Sequence, residues 1–260
     1  MQDRYTGDIG DFGKYGLLRV LKDKTKLTLG VNWYLTDPTH VGDKNNDGSL
    51  ITYLDTDRHS LRECDRKLFD MLNELKATNR WDVNGHNRHV QQIEGGSIID
   101  AVYFNDELSY HDIPSSKRND KIIHREAWLK RSHDLLKGRD VIFLDPDNGI
   151  EPKSISITSR KAPKYVFLDD LAIYKDQSLI IYQHSYRNKS VESLKKDVLF
   201  RLFKGPLRDR DIKDVRTLQY HRGTSRLYII IPIKKHAGKI HKAIDYFMST
   251  PWKDHFSLVK

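Results

Sequence analysis

Three nearly unbroken apolar runs constrain the fold more than any other feature of the sequence: Val141-Ile142-Phe143-Leu144, Ser178 to His184 (SLIIYQH) and Leu227 to Ile233 (LYIIIPI). A strand with one solvated face alternates apolar and polar residues, so a continuous run asks for cover on both faces. The sequence supplies that cover. Apolar residues recur at helical spacing from Asp57 to Leu75, Lys121 to Leu136, Ser190 to Phe203 and His236 to Met248. Leu27 to Leu35 reads as a further buried strand, with Ile98 to Phe104 and Tyr165 to Leu168 as shorter ones. Tyr15 to Leu21 reads as a short helix with Asp11 as its N-cap. Strands separated by helices predict an α/β chain with a mostly parallel central sheet. No repeat or linker divides the 260 residues, so a single domain over 1–260 is expected, with an irregular insert at about 80–120.

Hydrophobic residues make up 38% of the chain, enough for a core of this size. The net charge of +9 and sequence pI near 9.4 point to a polyanion, with nucleic acid, RNA or DNA, as the natural partner class. Cys64 is the only cysteine, which excludes an internal disulfide and a multi-cysteine zinc site. No apolar run approaches the roughly 20 residues that cross a bilayer. No signal-like stretch opens the sequence either, so a cytoplasmic protein without a membrane partner is expected.

In open α/β sheets, ligands bind beyond the carboxyl ends of the strands. Three polar clusters fall there: Asp37 to Gly48, Asp145 to Gly149, and Gln183 to Arg187. The Asp145-Pro146-Asp147-Asn148 segment is the sharpest of them. Proline fixes φ and donates no hydrogen bond, so an adjacent carboxylate and carbonyl form two acceptors in fixed relation, suited to an amino group. The same residues also make an ordinary turn. A rival chemistry uses Asp145, Asp147 and Glu151, with Asp169-Asp170, as ligands of a catalytic metal in a nuclease or phosphodiesterase. A non-catalytic nucleic-acid-binding module is a further alternative. His221 to Arg226 is a candidate phosphate-holding turn or a solvated hairpin, and Lys117-Arg118, Arg125, Lys130-Arg131 and Lys137 form a candidate basic face.

The Asp145 segment resembles the (D/N)-PP-(Y/F/W) motif of S-adenosylmethionine-dependent amino-methyltransferases. Gly7 to Tyr15 resembles the segment H-x-G-N-x-x-D-x-x-K-H of the bacterial 23S ribosomal-RNA adenine-N6 methyltransferase family, with Lys14 on its lysine and Tyr15 replacing its histidine. Asp37-Pro38-Thr39-His40-Val41-Gly42 is similar to its D-T-H-A-G cofactor loop. The resemblance implies a Rossmann-like three-layer methyltransferase fold. It also implies S-adenosyl-L-methionine as cofactor, held by Lys14, Tyr15, Asp37, His40 and Gly42, and no metal. The catalytic segment would be Asp145, Pro146, Asp147 and Asn148, holding an amine, adenine N6 by the resemblance. His184, Tyr186 and Arg187 are candidate substrate contacts. Asp147 and Asn148 depart from the family pattern: Asn148 stands where an aromatic ring stacks on the base. Tyr174, Tyr182 or Tyr186 would have to supply that ring.

Overall fold

The computed structural model describes residues 1–43, 50–57, 60–185 and 189–260. Among the described residues the central sheet has seven strands: β1 (Leu29–Asn32), β2 (Val102–Phe104), β3 (Val141–Leu144), β6 (Ser178–His184), β7 (Arg216–Tyr220), β8 (Arg226–Ile231) and β9 (Phe256–Leu258). Their spatial order is β2-β1-β3-β6-β8-β7-β9. The first four run parallel, while β8 is antiparallel to both β6 and β7, and β9 to β7. A separate parallel pair, β4 (Gly149–Ile150) and β5 (Tyr165–Val166), follows the Asp145 turn.

The apolar runs do divide their side chains between two faces. Val141 and Phe143 of β3, Ile180 and Tyr182 of β6, and Tyr228 and Ile230 of β8 enter one core. Their neighbours Ile142, Leu144, Leu179, Ile181, Ile229 and Ile231 enter the other. The first core is closed by α1 (Ile9–Thr25), α5 (Arg66–Asn79) and α9 (Lys234–Phe247), the second by α7 (Arg118–Leu136) and α8 (Val191–Lys204). The result is an α/β protein with a mostly parallel sheet between helical layers. Among the described residues no helix is long and apolar enough to cross a membrane.

The structure corrects several local expectations. The first helix starts at Ile9, six residues before Tyr15, and its N-cap is Asp8, whose carboxylate accepts the Asp11 N–H at 2.8 Å. The 57–75 segment is broken at Asp65, which caps α5 through the Leu68 N–H, and α4 (Leu61–Cys64) precedes the break. The 80–120 segment carries α6 (Val90–Gly95) and β2, the edge strand of the sheet, and buries Trp81, Val90, Ile93 and Ile98 in the first core.

Chain order places β2 on one side of β1 and β3 on the other. The point where strand order reverses, at which open α/β sheets form their ligand crevice, therefore lies between the carboxyl ends of β1 and β3.

Candidate active site

The switch point is built from the backbone outward. Pairing continues one step beyond β3, because the Asp145 N–H donates to the Asn32 carbonyl at 3.0 Å. The Asn32 side chain braces this end, donating to Ser132 Oγ at 2.8 Å and accepting the Tyr34 N–H at 2.9 Å. Tyr34 has a left-handed φ of 45°. That conformation costs a non-glycine residue on the order of 1–3 kcal/mol. Its ring, fully buried and 4.9 Å from that of Trp128, offsets the cost.

Helix α1 brings Lys14 to the same crevice. Lys14 Nζ lies 2.6 Å from Asp145 Oδ2 and 2.6 Å from Asp11 Oδ1. Asp11 also accepts from the Tyr15 hydroxyl at 2.5 Å and the Gly7 N–H at 3.1 Å. Burial opposes charge on Lys14, but Asp11 and Asp145 outweigh it and raise its pKa above the ordinary lysine value. Burial also raises the Asp145 carboxyl, with Lys14 and the Met1 ammonium pulling it back.

Met1 lies in this crevice. Its amino group donates to the Asp145 carbonyl at 2.8 Å and the Tyr34 carbonyl at 3.1 Å, and sits 2.9 Å from Asp147 Oδ1. Its carbonyl accepts the Thr36 N–H at 2.9 Å, and its sulfur lies 3.7 Å from Lys14 Nζ. Gln2, fully buried, donates through Nε2 to both Asp43 Oδ2 and Asp147 Oδ2 at 2.7 Å. Lys164 reaches Asp43 Oδ2 at 2.6 Å and Asp147 Oδ2 at 3.7 Å. Met1, Gln2, Tyr34, Asp43 and Lys164 carry no sequence signal for this role, because their partners lie up to 145 positions away. Of the ion-paired groups around Lys14 the sequence singled out Lys14 and Asp145, while Asp11 read as a helix N-cap rather than as the partner of Lys14.

The expected site residues separate into groups. Lys14, Asp145 and Asp147 line the crevice, with Pro146 buried beside them. Asn148 is fixed by its backbone: its N–H donates to the Lys164 carbonyl, and its carbonyl accepts from the His184 N–H and Gln183 Nε2. Gly149, at φ 100°, follows directly, and a Cβ there would meet Gln183 Oε1 at 2.4 Å. Tyr15 is fully buried behind Lys14. Asp37 caps α2 (Pro38–Val41), Gly42 closes it at φ 76°, and Asp43 is joined to Asp147 through Gln2 and Lys164. The His40 ring pairs with Glu107 at 2.7 Å and stacks on His111. His184 ends β6, its Nδ1 3.5 Å from the Tyr182 hydroxyl. Tyr186 and Arg187 lie outside the described residues, as does Asn46-Asp47-Gly48.

Other candidates have structural roles. Tyr174 is fully buried in the second core, within 3.3 Å of Ser132 Oγ, so it presents no ring to a ligand. Arg125 leaves the basic face altogether, buried against Asp170. In the 221–226 turn, Arg222 donates to His255 Nδ1 at 2.8 Å and Arg226 turns inward to Asp8 at 3.5 Å. Burial pushes the Cys64 thiol up to about 12, which suits no nucleophile at neutral pH. Asp145, Asp147 and Glu151 pair with Lys14, Met1 and Arg201 respectively. Among the described residues no group of three or more His, Cys, Asp or Glu side chains could hold a metal ion.

No protein-family model matches the chain. A comparison with curated proteins gives no match either.

Proposed function

We propose that the protein is an S-adenosylmethionine-dependent methyltransferase of the Rossmann-like three-layer kind, acting on an amino group of a nucleic-acid base, adenine N6 by resemblance. The observation that carries this reading is the switch-point crevice, where Lys14 and Asp145 are ion-paired and the carbonyls of Tyr34 and Asp145 hold a primary amine. The amino-acid end of the cofactor bears an α-ammonium and a carboxylate. The site already holds an ammonium, that of Met1, and the Thr36 N–H, which donates to the neutral Met1 carbonyl, is placed to donate to the carboxylate, so the residues fit the group. Lys14, Tyr34, Thr36, Asp145 and Asp147 would hold it, with Asp37, His40 and Gly42 on the adjoining loop.

Bound there, the cofactor supplies an electrophilic methyl group. The chain's own contribution is alignment, since holding two reactants in register removes much of the entropic barrier. Lys14 fixes the orientation of the Asp145 carboxylate, and burial raises its basicity. Asp145 is thereby placed to accept a hydrogen bond from the amine and to receive the proton it loses. Asn148 offers no stacking ring, so contact with the base, worth roughly 1–3 kcal/mol for an aromatic, falls to other residues. The basic charge of +9 supports a nucleic-acid substrate by long-range attraction.

Calorimetric titration with S-adenosylmethionine tests the reading. Saturable binding is expected for the wild type, weakened at least tenfold in Asp145→Ala. No binding at millimolar cofactor, in the wild type and Gln2→Ala alike, would rule the reading out. Tight Mn²⁺ binding lost in Asp145→Ala would replace it with metal-dependent phosphodiester chemistry.

A further inference from the structure

We propose that residues Met1 to Arg4 are an intramolecular strap that occupies the cofactor's amino-acid subsite and must leave it before the cofactor binds. This rests on the methyltransferase reading and adds its regulation. Met1 presents an amine, a Cα and a carbonyl in the order found at the amino-acid end of S-adenosylmethionine. Each polar group is bound: the amine by two carbonyls and the Asp147 carboxylate, the carbonyl by the Thr36 N–H. Two ligands cannot share those acceptors.

The strap is latched beyond Met1. The Gln2 amide bridges Asp43 and Asp147, the Gln2 Oε1 accepts Arg4 Nε at 2.7 Å, and Arg4 Nη2 lies 3.6 Å from Asp43 Oδ2. Asp147 and Asp43 thus hold the strap from two loops of the same crevice. Displacing it frees Tyr34 O, Asp145 O and Thr36 N–H together, in the place where strand order makes a ligand site. The latch also gives Asp147 a role: a second proline there would offer no carboxylate to the Met1 amine or to Gln2.

A strap closed in about nine molecules of ten lowers apparent affinity tenfold, because only the open fraction binds. Loosening the latch should recover that factor. The test is calorimetry with S-adenosylmethionine on the wild type, Gln2→Ala and Gln2→Glu, the last placing a carboxylate against Asp43 and Asp147. About tenfold tighter binding in both variants is expected. Hydrogen exchange at the Thr36 N–H in the cofactor-free proteins supplies a second readout: Gln2→Ala and Gln2→Glu should exchange up to about tenfold faster than the wild type, as the Met1 carbonyl leaves more often. Equal affinities in all three proteins, with Thr36 still protected by the Met1 carbonyl, would overturn the strap and leave the cofactor assignment standing. Absence of binding to any of them would remove the cofactor reading and the competition with it.

Discussion

At the scale of single residues, Gly13 is the position where size matters most clearly. A Cβ there would lie 2.5 Å from the Tyr220 ring. That ring has no room to retreat, because its hydroxyl donates to the Ile9 carbonyl at 2.9 Å and its face lies 4.6 Å from Phe256. Gly10 against Arg226 and Gly16 against Trp252 repeat the pattern at intervals of three. Alanine improves helix propensity by up to about 1 kcal/mol, whereas overpacking a rigid site costs about 1–3 kcal/mol or more. Gly13→Ala should therefore lower stability by about 1–2 kcal/mol, seen as a lower urea midpoint; an unchanged or higher midpoint would show that the ring yields. The same glycines explain why the sequence hides the start of α1. Locally they argue against a helix, and only the distant aromatic rings supply the reason to form one. The resemblance singled out Lys14, whereas Gly10 and Gly13 beside it face Arg226 and Tyr220 of the sheet.

At the scale of elements, α7 is fastened to the turn beyond β5 by one buried ion pair. Arg125 donates to the Asp170 carboxylate and to the Tyr165 carbonyl, and Asp170 also accepts the Phe167 N–H. Burial opposes the charge on Arg125, yet Asp170 holds its pKa above the ordinary value. Removing one member strands the other, at about 3–5 kcal/mol. Asp170→Ala is expected to cost that much in chemical unfolding, and Arg125→Met combined with Asp170→Leu less than the single change. A double variant weaker than the single one would refute this account. The sequence offered Asp169-Asp170 only as a strand-end acidic pair, since its cation lies 45 positions away. The same limit hid the antiparallel pairings at one edge of the sheet. β3, β6 and β8 were legible from their apolar runs, but β7 and β9 are short, and nothing local states that β8 runs against β6.

At the scale of the whole molecule, buried groups of opposite sign shape the dependence of stability on pH. Burial pushes Glu151 up to about 7, although Arg201 pairs with it at 2.7 Å. Burial lowers the pKa of His236 and of His221. An acid whose pKa is raised by folding binds its proton more readily in the folded state, so Glu151 adds stability as pH falls through 7. A histidine whose pKa is lowered does the reverse and removes stability as pH falls through its unfolded value near 6.5. Between pH 8 and pH 5 the two effects oppose each other. Glu151→Gln takes away the compensating group and leaves the histidines, so its urea midpoint should fall more steeply over that interval than the wild type's. Parallel profiles would mean that Arg201 keeps Glu151 charged throughout. The location matters for function as well as for stability. Glu151 joins α8 to the segment that runs on from Asp145 through β4. On the methyltransferase reading proposed above, a change in its charge acts on the loop that carries the site, and cofactor affinity should shift over the same pH interval as stability.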